Sequence, residues 1–126
     1  IRVTTTGPQA QELARRVCVD AQISFFLPLR RPAGGGELVV TDLRWPAVAP
    51  AYAERTDSVG QLPAVTKRLA ALLPTQRIDP PAGALVVFDG GRFFHRVAPV
   101  EGPTARRTIG GFLAWERAAD ALRYWS

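Results

Sequence analysis

The only histidine of the chain, His95, is the residue best suited to do chemistry near neutral pH. It lies in Phe93-Phe94-His95-Arg96-Val97, where strand alternation places Phe93, His95 and Val97 on one face. An imidazole in this setting is either a hydrogen-bonded core residue, a metal ligand or a proton donor and acceptor. Taken alone, a histidine on an apolar strand face is more often the core residue.

A second group of side chains that could do chemistry lies eleven residues further along the chain. Arg106 and Thr108 are spaced by two, so they project to the same side of a strand. A guanidinium fork with a hydroxyl partner is suited to binding a small carboxylate at two points. The alternative is an exposed arginine that pairs with Glu101 or Glu116. These residues alone leave both interpretations open.

Length and composition predict one globular domain over residues 1–126. The chain has a mass of 13.7 kDa, with 47% apolar and 21% charged residues, which is enough to bury a core and excludes a disordered or fibrous protein. No apolar run approaches the roughly 20 residues of a membrane span, and no signal peptide is visible. We therefore expect a soluble, cytoplasmic protein. Because the chain begins at Ile1 and contains no methionine, we also expect an N-terminal extension before it.

The net charge of +5 does not indicate a nucleic-acid partner. All basic residues except Lys67 are arginines; they are scattered, and no basic run exceeds two residues. The single cysteine, Cys18, excludes an internal disulfide. We expect a small-molecule substrate and no nucleic-acid or membrane partner.

Hydrophobic periodicity predicts the elements that must position these groups. Strands are expected at residues 19–29, 37–43, 84–88, 93–100 and 104–115, and helices at 9–17, 64–73 and 117–124. The first strand should end near Pro28 or lie on a sheet edge, because proline donates no ladder hydrogen bond. Residues 30–36 form a glycine-rich turn, and residues 44–63 are an irregular candidate lid. Several strands with few helices predict an antiparallel barrel or jelly roll.

Four blocks of sequence carry a resemblance to a known family. They are GGEL at 35–38, PAGALVVF at 81–88, HRVAPV at 95–100 and RRT at 106–108. In this order and spacing they resemble the second half of the 2-oxoglutarate/Fe(II)-dependent oxygenases, and within them the prolyl-hydroxylase-type branch. The resemblance covers residues 20–115. It implies a mostly β, cupin-like double-stranded β-helix, or jelly roll, with a few peripheral helices, and Fe(II) and 2-oxoglutarate as cofactors.

The resemblance also implies roles for single residues. His95 matches the distal iron ligand, Arg106 matches the residue that binds the far carboxylate of 2-oxoglutarate, and Thr108 matches its hydroxyl partner. Glu37 receives no role. The family holds iron through a His-x-Asp/Glu pair and a distal histidine. This chain has one histidine, so its metal triad is incomplete or degenerate.

Two segments could correspond to the His-x-Asp pair. Thr4-Thr5-Thr6 would place hydroxyl groups, which are poor Fe(II) ligands, at both positions. Cys18-Val19-Asp20 keeps the carboxylate of Asp20 but replaces the imidazole with a thiol, which favours softer metals such as zinc. Cys18 is otherwise a small core residue, and Asp20 could equally cap or terminate the strand. A third possibility is that the pair lies in a segment outside these 126 residues.

The leading hypothesis is a 2-oxoglutarate/Fe(II)-dependent oxygenase-like protein that hydroxylates or otherwise oxidises a small organic substrate or a peptide residue. Alternatives are a metal-independent enzyme that uses His95 for proton transfer, and a ligand-binding pseudo-oxygenase that reuses the barrel pocket. In the irregular loop, Trp45 either lines a substrate mouth or anchors the loop. Arg44, Tyr52 and Arg55 are further polar residues there without an assigned role.

Overall fold

The computed structural model describes residues 8–47 and 64–126. Within these ranges the structure has two helices with described bounds, a 3₁₀ turn at Val19–Ala21 and nine strands, and residues 45–47 are also helical. The helices are α1 (Pro8–Arg16) and α2 (Ala64–Leu72). The strands are β1 (Ile23–Arg30), β2 (Gly34–Gly35), β3 (Leu38–Arg44), β4 (Thr75–Ile78), β5 (Val86–Phe88), β6 (Phe93–Val97), β7 (Val100–Glu101), β8 (Arg107–Trp115) and β9 (Leu122–Trp125).

The strands form antiparallel sheets that face one another. The larger sheet has the order β5-β1-β8-β9, the smaller sheet has the order β4-β3-β6, and β2 pairs with β7. The chain passes from the larger to the smaller sheet in the turn between β5 and β6, and the Phe88 and His95 rings meet across it with centroids 4.9 Å apart. The predicted mostly β jelly-roll fold is confirmed.

Strand β1 ends at Arg30, two residues after Pro28, near the end that the sequence predicted. On one side, β5 pairs only with Ser24, Phe25 and Phe26, so no ladder bond is required of Pro28 there. On the other side, Pro28 lies opposite Thr108, and the register shifts before Arg30. The proline is tolerated because the ladder is incomplete around it.

The glycine-rich turn after β1 has the backbone that its composition predicts. Gly35 and Gly36 have φ values of 65° and 76°, a region that side chains with a Cβ avoid. A Cβ on Gly35 would overlap the carbonyl oxygen of Pro99, and the Gly36 amide donates to that same oxygen at 3.1 Å. Glycine therefore lets β2 lie directly against β7.

Two elements differ from the sequence prediction. The predicted helix at residues 117–124 is wrong, because residues 117–120 form bends and β9 begins at Leu122, where it pairs antiparallel with β8. Alternation there places Trp125 against Phe112, with ring centroids 5.8 Å apart, so tertiary pairing overrides local helix propensity. Strand β4 was not predicted, since its residues TQRI show no apolar alternation, and it is held at the sheet edge by pairing with β3.

The buried apolar side chains form a cluster where α1 meets the larger sheet. Val17, Val19 and Ala114 are buried together, and Leu13 and Trp125 pack against them. The smaller sheet contributes a further set of buried side chains, namely Leu38, Val39 and Leu43. Among the described residues, no helix is long and apolar enough to cross a membrane.

Candidate functional site

His95 lies on β6 opposite Val40 of β3 and is half-buried. Its Nδ1 is 3.0 Å from the carbonyl oxygen of Phe93. Because a carbonyl only accepts, this contact assigns the proton to Nδ1 and leaves the lone pair of Nε2 free. Burial lowers the pKa of His95 below its usual value, and the hydrogen bond to Phe93 opposes this in part. The imidazole is therefore neutral at pH 7.

Arg106 immediately precedes β8 and is half-buried. Its Nη1 donates to Oγ1 of Thr108 at 3.3 Å, so the two side chains lie on the same side, as their spacing predicts. The guanidinium carbon lies 5.6 Å from the centre of the Phe26 ring. Glu116 pairs with Arg123 at 2.5 Å, so the alternative pairing of Arg106 with Glu116 is not what the structure shows.

The side chains of His95 and Arg106 face the same interior. His95 contacts Phe88, whose ring centre lies 6.5 Å from that of Phe26, and Phe26 lies beneath the Arg106 guanidinium. Aromatic residues of β1 and β5 thus connect the two groups across the inner face of the larger sheet. Arg106 also lines a narrow cleft with Gly36 and other residues, and its free space of about 10 Å³ is close to the minimum for one water molecule.

Of the other ligand positions proposed from the sequence, only Cys18 has a described side chain. Cys18 is half-buried, and its amide donates to the carbonyl of Trp115 at 2.8 Å, in the cluster between α1 and β8. The Asp20 side chain and Thr4-Thr5-Thr6 lie outside the described part of the chain. Within residues 8–47 and 64–126, no group of three or more histidine, cysteine, aspartate or glutamate side chains could hold a metal ion.

His95 is suited to be one ligand of an iron site, but the described residues do not form a complete set of ligands. A neutral imidazole with its Nδ1 proton held by a carbonyl is how histidine usually presents Nε2 to a metal. The facial triad of this class needs two further protein ligands. The described side chains do not supply them, so no catalytic step through iron is derived from this structure.

The start of the predicted irregular loop is regular where it is described, because Arg44 ends β3 and residues 45–47 are helical. Trp45 stacks on Phe94 with ring centroids 6.1 Å apart and an angle of 19°, and its amide donates to the Arg92 carbonyl at 2.8 Å. Phe94 alternates with His95, so this stack lies on the opposite face from the imidazole, which supports the anchoring role. Tyr52 and Arg55 lie outside the described residues.

Two charged residues follow Val40 along β3, and their role was not identified from the sequence. Arg44 places its guanidinium 5.3 Å from the centre of the Phe93 ring. Asp42 precedes it by two on β3, and the alternating burial along this strand puts Asp42 on the side of Val40. The only sequence signal was that the two residues are spaced by two, as residues on one side of a strand are. This spacing becomes informative once β3 is known to pair with β6.

Glu37 has a structural role. Its carboxylate accepts a hydrogen bond from Arg77 across β3 and β4. Hydrogen bonding to its own backbone amide, together with Arg77 and Arg96, lowers the pKa of Glu37. The carboxylate that follows the glycine-rich turn therefore joins two strands and is not directed at His95.

The jelly roll carries an inward imidazole and an arginine–hydroxyl pair, the features that the four sequence blocks implied. The family of the carrier-protein-independent halogenase WelO5 matches residues 3–126, and the chain belongs to this family. This places it in the 2-oxoglutarate/Fe(II) oxygenase superfamily, which confirms the superfamily predicted from the four sequence blocks. The prolyl-hydroxylase-type branch and the degenerate triad stay predictions.

Solved structures show the same fold. Two crystal structures of an N-substituted L-amino acid dioxygenase from Burkholderia ambifaria AMMD, one of them in complex with alpha-KG, each match with a TM-score of 0.56 and 20% sequence identity. The match covers 83% of this chain and 39% of the dioxygenase. This chain thus corresponds to well under half of that enzyme. The comparison with curated proteins gave no match.

Proposed function

We propose that this chain forms the 2-oxoglutarate-binding barrel of an oxygenase-type enzyme that acts on a small molecule. In this proposal Arg106 and Thr108 bind the far carboxylate of 2-oxoglutarate, and His95 faces its 2-oxo-acid end. The observation that carries the proposal is the continuous contact from His95 through Phe88 and Phe26 to Arg106. 2-Oxoglutarate carries a carboxylate at one end and a 2-oxo acid at the other. In this proposal Arg106 is the cation that binds the carboxylate, and His95 is the group that faces the 2-oxo acid.

The Arg106 pair is suited to a carboxylate because several donors converge there. The guanidinium has five N–H groups, and only the one on Nη1 is directed at Thr108. The hydroxyl of Thr108 accepts from Arg106 and keeps its own proton for a ligand oxygen. Phe26 excludes water from one face of the guanidinium, which strengthens a charge-assisted hydrogen bond.

His95 serves as a single neutral ligand or hydrogen-bonding group in this proposal. The family implies Fe(II), and the Nε2 lone pair is the one protein donor for it among the described side chains. We propose that the organic substrate is a free small molecule, because the family is described as independent of a carrier protein. The family supports halogenation, hydroxylation or another oxidation of that molecule as the proposed reaction.

A second function is favoured by the single imidazole. A barrel that keeps Arg106 and Thr108 but holds no iron would bind 2-oxoglutarate or a similar carboxylate without oxidising anything. Such a pseudo-oxygenase would use the ligand as a signal or a structural support. The two functions share the carboxylate site and differ in the metal.

We also propose that no nucleic acid binds this protein. Many of the arginines that create the positive charge are already paired with carboxylates, so they do not form a continuous basic surface. The pairs are Arg16 with Glu12, Arg31 with Asp79, Arg77 with Glu37, Arg92 with Asp89 and Arg123 with Glu116.

Replacing Arg106 by alanine tests the carboxylate site. Titration calorimetry with 2-oxoglutarate under anaerobic conditions should show binding to the parent protein and at least a tenfold loss in Arg106→Ala, because a charge-assisted hydrogen bond is worth about 1.5–3 kcal/mol. Arg107→Ala is the matched control, since Arg107 is the exposed neighbour that projects to the other side of β8. Equal affinity in Arg106→Ala and Arg107→Ala would remove Arg106 from this role.

An anaerobic titration of Fe(II) separates the two functions. An oxygenase should bind iron stoichiometrically, with tighter binding when 2-oxoglutarate is present, and should form succinate when oxygen is admitted. A pseudo-oxygenase should bind 2-oxoglutarate with the same affinity in EDTA and should form no succinate. Absence of both iron and 2-oxoglutarate binding would contradict both functions.

A further inference from the structure

A second cleft lies along β3 and β4 of the smaller sheet, where Thr41 and Pro74 form part of its lining. It has a volume of about 360 Å³, and its lining includes Val40, Asp42, Thr75, Gln76 and Phe93. This volume falls within the range of small-molecule sites. It is also far larger than the narrow cleft that Arg106 lines.

The sheet register brings this cleft next to the imidazole. Val40 of β3 lies opposite His95 of β6 on one side and opposite Gln76 of β4 on the other. Phe93 lies two residues before His95 and provides the carbonyl that accepts from its Nδ1. A molecule in the cleft would therefore contact the same surface that presents His95.

The cleft combines an apolar floor with one negative charge. Val40 and Phe93 are half-buried and provide the apolar contact. Asp42 is exposed, and its amide is bound to the Pro74 carbonyl at 3.0 Å, which holds the residue at the rim. Thr75 and Gln76 add neutral hydrogen-bonding groups.

The carboxylate of Asp42 has no ion pair among the described residues, although the protein is rich in arginine. Five other carboxylates do have such pairs, namely Glu12, Glu37, Asp79, Asp89 and Glu116. The basic residue nearest along the strand, Arg44, has its guanidinium over the Phe93 ring. Asp42 thus leaves a negative charge available at the rim of an apolar cleft.

We propose that this cleft binds the organic substrate and that Asp42 receives its positively charged amine. The substrate class is a compact apolar molecule with one ammonium group, whose apolar body lies on Val40 and Phe93. The inference deepens the proposed function and rests on it, since it supplies the molecule to be oxidised. A cationic amine is favoured over a neutral group because a charge-assisted hydrogen bond to a carboxylate is about twice as strong as a neutral one.

Two probes that differ in one group test the charge requirement. We would titrate the full chain with 2-phenylethylamine and with 2-phenylethanol and follow the backbone amides of Val40, Gln76 and Phe93 by NMR. The amine should bind about tenfold more tightly than the alcohol. In Asp42→Asn, which keeps the shape and removes the charge, the two probes should bind equally. Asp120→Asn, another exposed carboxylate outside the cleft, should behave like the parent protein.

The same samples separate failure of this inference from failure of the proposed function. Loss of the amine preference with 2-oxoglutarate binding intact would overturn the cleft assignment alone. An amine preference that depends on Asp42 without any 2-oxoglutarate binding would support the cleft and contradict the proposed function. Equal binding of amine and alcohol to the parent protein, or no shift of the three amides with either probe, would overturn the inference.

Discussion

At the scale of single residues, the environment of His95 decides what its imidazole can do. The Phe93 carbonyl holds the proton on Nδ1, and the edge-on Phe88 ring limits the ring's movement. Burial favours the neutral form, so Nε2 can accept a proton or bind a metal at neutral pH. Arg106 is likewise defined by its neighbours, because Phe26 and Thr108 orient the guanidinium.

Stability should depend on pH through His95. Its pKa in the folded state lies below the unfolded value of about 6.5, so the unfolded chain takes up the proton first as the pH falls. The stabilising contribution is complete above about pH 6.5 and is lost as the pH drops toward the folded pKa. In EDTA, the Tm of the parent protein should fall between pH 7 and pH 5 more steeply than that of His95→Gln. Parallel Tm curves for the two proteins would contradict the buried neutral histidine.

At the scale of elements, the glycine-rich turn depends on a close backbone approach. Gly35 combines a positive φ with direct contact to the Pro99 carbonyl, and this pairs β2 with β7 beside the start of β3. Gly83, in the turn before β5, has a φ of 85° but no atom within 4 Å of its missing Cβ. The two positions share one conformational requirement and differ in steric contact.

Substitution by alanine should separate these two effects. Gly83→Ala is expected to cost about 1–2 kcal/mol, because a Cβ is unfavourable in the left-handed region. Gly35→Ala has the same cost and also forces the backbone of Pro99 to move, so its loss in free energy of unfolding should be clearly larger. Denaturant unfolding of both variants measures the difference. Equal losses would show that the β2–β7 approach is not as close as described.

At the scale of the whole molecule, burial is unequal between the two faces of the larger sheet. The inner face carries Phe26 and Phe88 toward the interior, and its far end packs against α1. The outer face is also apolar, and much of it is exposed. Its exposed members are Val87, Ile109, Trp115, Leu122 and Tyr124, and cross-strand register places them on one side. Stability therefore depends on the interior and on the α1 junction.

The same substitution at two valines tests this distribution. Val17 is 0% exposed in the α1 junction, and Val87 is 54% exposed on the outer face. Val17→Ala should cost about 2 kcal/mol, because two buried methyl groups are lost and a cavity remains. Val87→Ala should change the free energy of unfolding by no more than about 0.5 kcal/mol. A large loss in Val87→Ala would show that the outer face is covered in solution.

The sequence by itself determined the fold class and most of the strands, because apolar alternation and glycine or proline turns are local signals. It also determined the pairing of Arg106 with Thr108, since a spacing of two places both side chains on one side of a strand. The four ordered blocks were enough to identify the superfamily, because their motif residues and spacing are readable without coordinates.

Only the tertiary structure decided which residues share a face across different strands. Strand β9 was mistaken for a helix and β4 was missed, because both are stabilised by their partners β8 and β3 more than by their own residues. Val40 lies opposite His95 only through the register of β3 with β6, and Asp42 follows Val40 by two along β3. Register joins residues that are more than 50 positions apart in the chain, and no local pattern of side chains specifies which partner a strand will meet.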